Sequence, residues 1–248
     1  MSSDWTQQVA IITGGASGIG FALAENLQSK GVQVALLDMN QDGLVEAKDK
    51  LDGKPLIVQT NVSDEESVSA AVTQVVDAFG RIDILFNSAG ITGQTGIKTH
   101  EVPTEDFDLV YGVNLRGSFL MCKAVIPHMM EAGYGRILLM ASIAGKDGNA
   151  GMLSYSATKA GVIGLTKAMG KEYAETGLTV NALAPAVVYT PIHDTIPQEQ
   201  IDYMTSKIPM ARCGSLKEVA DMAAFIVSPE NSFTTGFTFD LSGGRATY

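Results

Sequence analysis

Apolar residues along the chain fall into short uninterrupted runs that alternate with longer segments of helical periodicity. Runs such as VAIIT at 9–13 and LTVNALAP at 178–185 are apolar throughout, which is typical of strands buried on both faces. Segments such as 20–31 repeat apolar positions at helical spacing and end at a glycine. This order predicts an α/β fold, a doubly wound Rossmann-type parallel sheet of seven strands with helices on both faces.

The pattern predicts one domain over residues 1–248, because no Pro/Ser-rich linker divides the chain. The segment 186–215 contains several prolines and few periodic apolar positions, and we expect it to be a functional lid. Strands are predicted at 9–13, 32–38, 56–62, 82–90, 135–142, 178–185 and 236–244, and helices at 20–31, 64–80, 114–130 and 155–174.

Composition narrows the class of protein. Apolar residues make up 46% of the chain and charged residues 18%, as in globular proteins, and the formal net charge of -10 argues against nucleic-acid and anionic-membrane partners. We find no apolar run long enough for a membrane span and no secretory layout at the N-terminus. The two cysteines, Cys122 and Cys213, suggest no disulfide framework, so we expect a cytoplasmic protein.

A glycine-rich turn, TGGASGIG at 13–20, joins the first strand to the first helix. Gly14, Gly18 and Gly20 allow a tight turn, and the amides of the following helix N-terminus then face an anion such as a pyrophosphate. The spacing is GxxxGxG, and no Gly-Lys-Ser/Thr follows, which excludes a P-loop. The position of this turn between strand and helix favours dinucleotide binding over a turn that is merely tight.

Asp38, at the end of the second strand, favours NAD over NADP. A carboxylate there can accept hydrogen bonds from the adenosine ribose and would repel a 2′-phosphate. No arginine follows it, and Ser17 occupies a loop position where an arginine could grip that phosphate. Asn61 and Val62, after the third strand, are candidates for the adenine edge.

Tyr155 and Lys159 lie four residues apart, on one face of a predicted helix. An ammonium beside a phenol favours the phenolate, so the pair predicts a tyrosine whose pKa is lowered toward neutral pH and which can transfer protons. YxxxK also occurs by chance on amphipathic helices, so the pair indicates catalysis only together with other motifs.

In this order, the motifs resemble those of the short-chain dehydrogenase/reductase family over essentially the whole chain. NSAG at 87–90 resembles the family's NNAG motif, with Ser88 in place of asparagine. PAVVYT at 185–190 resembles its PGxxxT motif, with Ala186 in place of glycine. The resemblance implies a catalytic set of Asn114, Ser142, Tyr155 and Lys159.

The resemblance also implies a role for each member of this set. Tyr155 would be the general base in oxidation and the general acid in reduction, and Lys159 would lower its pKa and hold the nicotinamide ribose. Ser142 would hydrogen-bond the substrate oxygen, and Asn114 would hold a water in a proton relay. With Thr190 and the Val188 backbone on the carboxamide, the expected NAD-binding set is Gly14, Ser17, Gly18, Ile19, Gly20, Asp38, Asn61, Val62, Asn87, Ala89, Gly90, Tyr155, Lys159, Pro185, Val188 and Thr190.

Three further stretches, 142–149, 207–214 and 242–248, resemble a subgroup that oxidises 2-keto-3-deoxy-L-fuconate and L-rhamnonate at C4. Such a substrate carries a carboxylate, for which Lys146, Arg116 and Arg245 are the candidate cations. We expect a homotetramer in which the residues after Gly244 are able to leave their own subunit. Arg245 would then bind the substrate carboxylate, in its own or a neighbouring active site, or form a surface or interface ion pair. The expected substrate-binding set is Ser142, Lys146, Tyr155, Tyr189 and Arg245.

Two other functions stay open. One is an NAD-linked reductase or dehydrogenase of another ketone, polyol or cyclic alcohol. The other is a dinucleotide sensor without catalysis, against which the intact catalytic set argues. Tyr189 and His193 lie at the start of the predicted lid, where we expect both to shape the pocket. No metal site is expected, because His100, His128 and His193 show no ligand spacing.

Overall fold

The computed structural model describes residues 5–190 and 198–246. Seven parallel strands form one sheet in the order β3-β2-β1-β4-β5-β6-β7, which confirms the predicted fold class and places β7 at the edge. The strands are β1 (Val9–Thr13), β2 (Gln33–Asp38), β3 (Leu56–Gln59), β4 (Ile84–Asn87), β5 (Gly135–Met140), β6 (Leu178–Pro185) and β7 (Thr238–Leu241).

Helices cover both faces of this sheet. The described residues form α1 (Gly18–Ser29), α2 (Gln41–Lys50), α3 (Glu65–Phe79), α4 (Thr104–Tyr111), α5 (Gly117–Ala132), α6 (Ile143–Asp147), α7 (Leu153–Glu172), α8 (Gln198–Thr205) and α9 (Leu216–Ile226), with a 3₁₀ turn at Thr99–Glu101 and a π-helical turn at Gly112–Arg116. Residues buried on α3, α5 and α7 form the core on one face of the sheet, and those on α1, α2 and α9 form the core on the other.

The continuous apolar runs follow from this two-sided burial. On β1, Val9 and Ile11 belong to the core under α3, α5 and α7, whereas Ala10 and Ile12 belong to the opposite core. Successive side chains of a strand point to opposite faces, so a strand with a helix layer on each side needs apolar residues at every position.

The pattern misses α9, although five of its apolar residues are buried, and it misses shorter helices that have few buried apolar positions. On α2, burial is confined to Leu44 and Ala47, so a helical period is hard to detect. The predicted lid segment contains α8, where Ile201 and Met204 are partly buried. The two ends of that segment meet in a bridge between Val188 and Gly214. Its role as a lid stays a prediction.

The helical run from Thr104 to Ala132 joins α4, the π-helical turn and α5, and its length and composition would suffice to cross a membrane. Half of its most apolar window is buried inside the protein. A helix packed into a protein core shows the same combination, so the run is weak support for a membrane span.

Candidate active site

A cleft of about 520 Å³ opens at the carboxyl ends of β1 and β4, where the strand order reverses. Doubly wound sheets bind ligands at this switch point. The structure brings many of the predicted cofactor residues together here: Gly14, Ser17, Gly18, Ile19, Asp38, Asn61, Val62, Ala89, Gly90 and Thr190 all line the cleft.

The glycine-rich turn is tight, and the backbone passes close to itself there. Gly14 has φ +65°, and a Cβ on Gly20 would lie 2.2 Å from the Gly14 carbonyl oxygen, so neither position accepts a larger residue without a shift. Within the described chain, the Ser17 side chain does not cap the helix α1 that follows it. The first-turn amides of α1 therefore keep donors for an anion at the positive end of the helix dipole.

Asp38 lies at one end of the cleft and is held by two backbone amides. Its carboxylate accepts hydrogen bonds from Ala16 N (3.2 Å) and Asn40 N (3.0 Å). A carboxylate has about four acceptor positions, so two remain for ribose hydroxyls. The side chain is thus positioned as the ribose role requires.

Asn61 and Arg116 lie near the β3 end of the cleft. The Asn61 Oδ1 atom accepts from the backbone amide (3.1 Å) and the hydroxyl (2.8 Å) of Ser63, so an adenine contact would fall to its amide nitrogen. The Arg116 guanidinium donates to the Ser63 carbonyl. Arg116 therefore contacts the segment after β3, and its role as a cation for the substrate carboxylate stays a prediction.

Asn87, the last residue of β4, is hydrogen-bonded to the elements on either side of the cleft. Its side chain is buried, accepts from the Thr13 hydroxyl (2.9 Å) and donates to the Ser118 hydroxyl (2.9 Å). Thr13 in turn accepts from Ala89 N (3.1 Å). Both ends of the Asn87 amide are thus used within the protein, and its predicted contact with the cofactor stays a prediction.

Asn114 lies in the π-helical turn and is buried. Its side chain accepts from Ile91 N and donates to Ile91 O, both at 2.8 Å, and it also donates to Thr158 Oγ1 at 3.2 Å. The sequence pattern predicts an ordinary helix here. A π-helical turn keeps the helical side-chain pattern around it, so the pattern gives no signal for it, although such turns are frequent at functional sites.

Ser142 and Tyr155 form the centre of the candidate catalytic site. The Ser142 hydroxyl accepts from Ala144 N (3.1 Å), which caps α6. Burial raises the pKa of Tyr155 above its ordinary value, and the nearby Ser142 hydroxyl opposes this in part.

Lys159 is buried one helical turn beyond Tyr155, and its ammonium donates to the Met140 carbonyl (2.6 Å). It lies 5.6 Å from the centroid of the Tyr155 ring. Burial lowers the pKa of Lys159 to about 8. The predicted lowering of the Tyr155 pKa is wrong for the protein's own groups, because burial of the phenol outweighs the other influences.

Lys146 and Arg245 are bound within their own chain. Lys146 forms an ion pair with Asp240 (2.8 Å), with 9% of its side chain exposed. Arg245, 10% exposed, contacts Asp147 (3.3 Å) and Asn149 (2.8 Å). Arg245 therefore forms an ion pair, as the second of its two expected roles, with Asp147 of its own chain. Lys146, which we expected to contact the substrate, is paired with Asp240 instead.

The tail does not leave its subunit as far as Ala246. Arg245 N donates to Ser242 O (3.2 Å), Ala246 N donates to Ser242 Oγ (3.1 Å), and Ala246 is buried. Of the two locations left open for Arg245, the contacts within the chain favour its own subunit, because the turn at Gly243 and Gly244 folds the chain back. Thr247 and Tyr248 lie outside the described residues.

The PAVVYT segment accepts alanine at 186 without backbone strain. Among the described residues, the non-glycine positions with positive φ are Gln7, Lys54 and Ala211, so Ala186 does not need glycine's freedom. Pro185 ends β6, and Tyr189 N donates to Gly214 O (2.7 Å) beyond the Val188 bridge. His193 lies outside the described residues. In residues 5–190 and 198–246, no group of three or more His, Cys, Asp or Glu side chains could hold a metal ion.

A family model described as "Enoyl-(Acyl carrier protein) reductase" matches residues 14–246. The chain belongs to the short-chain dehydrogenase/reductase family. One relative in it is the 2-dehydro-3-deoxy-L-rhamnonate dehydrogenase (NAD(+)) of Sphingomonas sp. (strain SKA58), 49% identical over 96% of this chain and 95% of that protein.

Two solved structures show the same fold over nearly the whole chain. An NAD+-bound xylitol dehydrogenase matches with a TM-score of 0.93 at 32% identity, covering 97% of this chain and 99% of that one. Levodione reductase matches with a TM-score of 0.91 at 35% identity, covering 98% and 99%.

The buried Lys159 should leave a pH signature on stability. Its pKa is about 8 when folded, against an ordinary value of 10.5, so between these values the unfolded chain holds a proton that the folded chain has lost. The free energy of unfolding of the wild type should therefore rise with pH in this window, relative to Lys159→Met, by an amount on the order of 3 kcal/mol. Urea denaturation of both proteins near pH 7.5 and pH 10 measures the difference. A constant difference would show that the folded Lys159 titrates like an exposed lysine.

Proposed function

We propose that this protein is an NAD-dependent dehydrogenase that oxidises a secondary alcohol, at C4 of a 2-keto-3-deoxy sugar acid. The observation that carries the chemistry is the buried ammonium of Lys159, 5.6 Å from the centroid of the Tyr155 ring, with Ser142 near the Tyr155 hydroxyl. The substrate class is supported by the 49% identity to the 2-dehydro-3-deoxy-L-rhamnonate dehydrogenase.

The cleft fits NAD in shape and in polarity. The glycine-rich turn and the α1 amides can hold the pyrophosphate, and Asp38 can accept from the ribose. A Cβ on Gly90 would lie 3.2 Å from Asn114 Oδ1 and 3.4 Å from Lys159 Nζ, so glycine there leaves room for a ligand beside both groups. When bound, NAD would accept the hydride from the alcohol carbon.

The protein's own groups would handle the proton and the substrate oxygen. The hydroxyls of Ser142 and Tyr155 can converge on one substrate oxygen, so Ser142 orients the alcohol while Tyr155 removes its proton as general base. With a raised pKa, Tyr155 is protonated at neutral pH and needs nearby positive charge in order to act as that base. Lys159, with a pKa of about 8, is largely protonated at neutral pH and can supply part of this positive charge.

The substrate test is to measure NADH formation with a panel of sugar acids and with neutral polyols of similar length. We expect oxidation of a 2-keto-3-deoxy sugar acid to be preferred in kcat/KM. Tyr155→Phe should lower kcat by about 10² to 10⁴, because it removes the proton-transfer group, with NAD affinity unchanged.

Preference for a neutral polyol or a cyclic alcohol would replace the substrate class while keeping the chemistry. If Tyr155→Phe kept more than about a tenth of the wild-type turnover, the proposed base would be wrong. NAD binding without turnover of any alcohol would favour the dinucleotide sensor.

Asp38 should determine the cofactor. Asp38→Ala should weaken NAD binding and improve tolerance of NADP, because one change removes an acceptor for the ribose and a repulsion toward the 2′-phosphate. A hydrogen bond to a charged group contributes about 1.5 to 3 kcal/mol, or roughly ten- to a hundred-fold in affinity. Titration of both cofactors against wild type and variant measures this. A wild type that prefers NADP would overturn the assignment.

We also propose a cytoplasmic homotetramer. The two cysteines of the described structure are free thiols, which suits a reducing compartment. Exposed aromatic side chains occur on several elements, among them Phe119 on α5, Phe225 on α9, and Phe233 and Phe237 before β7. Two self-complementary patches can build a tetramer with closed symmetry. Light scattering should give four times the chain mass, and Phe119→Glu should give a smaller species. A monomeric wild type would refute the assembly.

A further inference from the structure

We propose that Asp240 and Arg245 are positioning residues that act on Ser142 through helix α6. Each holds α6 by an ion pair from the C-terminal end of the chain, and together they keep the Ser142 hydroxyl in place against Tyr155. This inference rests on the proposed function, because it assigns a role at the same site.

Helix α6 needs support from outside. It has five residues, Ile143–Asp147, which is too short for a stable helix by itself. It packs directly on α7, because a Cβ on Gly145 would lie 2.6 Å from the Lys159 carbonyl carbon. Beyond α6, Asn149 N donates to the Ser156 hydroxyl (3.1 Å), which ties the following loop to α7 as well.

The first ion pair joins α6 to the edge strand β7. Lys146 on α6 and Asp240 on β7 are 2.8 Å apart, with 9% and 23% of their side chains exposed. Water therefore screens this pair less than it screens an exposed one. The contact is long-range in sequence, so it fixes α6 relative to the sheet.

The second contact joins the far end of α6 to the tail. Arg245 donates to Asp147 (3.3 Å), the last residue of α6, and to Asn149 (2.8 Å). The hydrogen bonds that Ser242 accepts from the tail hold Arg245 in position. One guanidinium thus holds both the end of α6 and the loop that follows it.

The position of α6 determines what Ser142 can do. Its hydroxyl accepts from Ala144 N inside α6 and lies close enough to the Tyr155 hydroxyl on α7 to influence the pKa of Tyr155. A tilt of α6 that keeps the hydrogen bond from Ala144 N displaces the hydroxyl relative to Tyr155. Displacement of a reacting group by about 1 Å can lower a rate by about 10², so contacts remote from the chemistry can control it.

Hydrogen–deuterium exchange on the full-length protein, without substrate, tests the contacts directly. Arg245→Met and the isosteric variants Asp240→Asn and Asp147→Asn should each speed amide exchange in residues 143–149. Lys217→Met is the matched control, because it removes an exposed ion pair with Asp221 on α9. It should leave exchange in 143–149 unchanged. Unchanged exchange in every variant of the two contacts would overturn the inference, whatever the substrate is.

Kinetics then tests the action through Ser142. With any secondary alcohol that the enzyme oxidises, Arg245→Met should lower kcat by about ten-fold or more while NAD affinity stays the same. Arg245→Lys keeps the charge and should lose less. In a Ser142→Ala background, Arg245→Met should cost less than about two-fold, because the group it positions is already gone.

An equal loss in both backgrounds would mean that Arg245 does not act through Ser142. A rise in substrate KM with kcat unchanged would assign it to substrate binding instead, and would also overturn the inference. If Arg245→Met does not fold, Asp147→Asn carries the same comparison, because it removes one charge without changing the shape. Failure of the sugar-acid panel alone would refute the proposed substrate and leave the exchange result standing.

Discussion

The arrangement of the site depends on the two hydrogen bonds that the buried Asn87 side chain makes with Thr13 and Ser118. This side chain links the end of β1, through Thr13, to Ser118 on α5, and Ser118 donates onward to the Asn114 carbonyl (2.6 Å). The glycine-rich turn follows β1 and the Gly90 loop follows β4, so this buried amide sets the distance between the two walls of the cleft. A buried donor or acceptor left unpaired costs about 1 to 3 kcal/mol, which makes any other spacing unfavourable.

The same dry environment that fixes the site opposes its charges. Burial lowers the pKa of Lys159 and raises the pKa of Tyr155, so both side chains are shifted toward their neutral forms. The Met140 carbonyl accepts a hydrogen bond from the Lys159 ammonium, which offsets part of the cost of burying that charge. A chain selected for stability alone would not bury this ammonium, so its retention is consistent with a role in proton transfer.

Sequence reasoning succeeded where a local pattern reflects a global constraint. The bounds of β1 and β6 follow from apolar runs at every position, since both faces of the sheet are covered. Helix α6 is too short to show a period, and nothing local indicates that Lys146 pairs with a strand 94 positions later. From the sequence alone, a cation after two glycines can belong to a mobile arm or to a folded tail. Burial of Arg245 against Asp147 and Asn149 favours the folded tail, and the sequence gives no signal of that burial.

The positions of the ion pairs also separate the two halves of the site. The cofactor cleft is built from the strands before and just after the switch point, whereas α6 is held from β7 and the tail. The two halves meet at α7, where Tyr155 faces Ser142 and Lys159 lies against the Gly90 loop. Because the contacts at α6 involve neither the glycine-rich turn nor Asp38, they can change the alignment of the substrate oxygen without changing the cofactor site. This separation lets the catalytic half be adjusted while dinucleotide recognition is preserved.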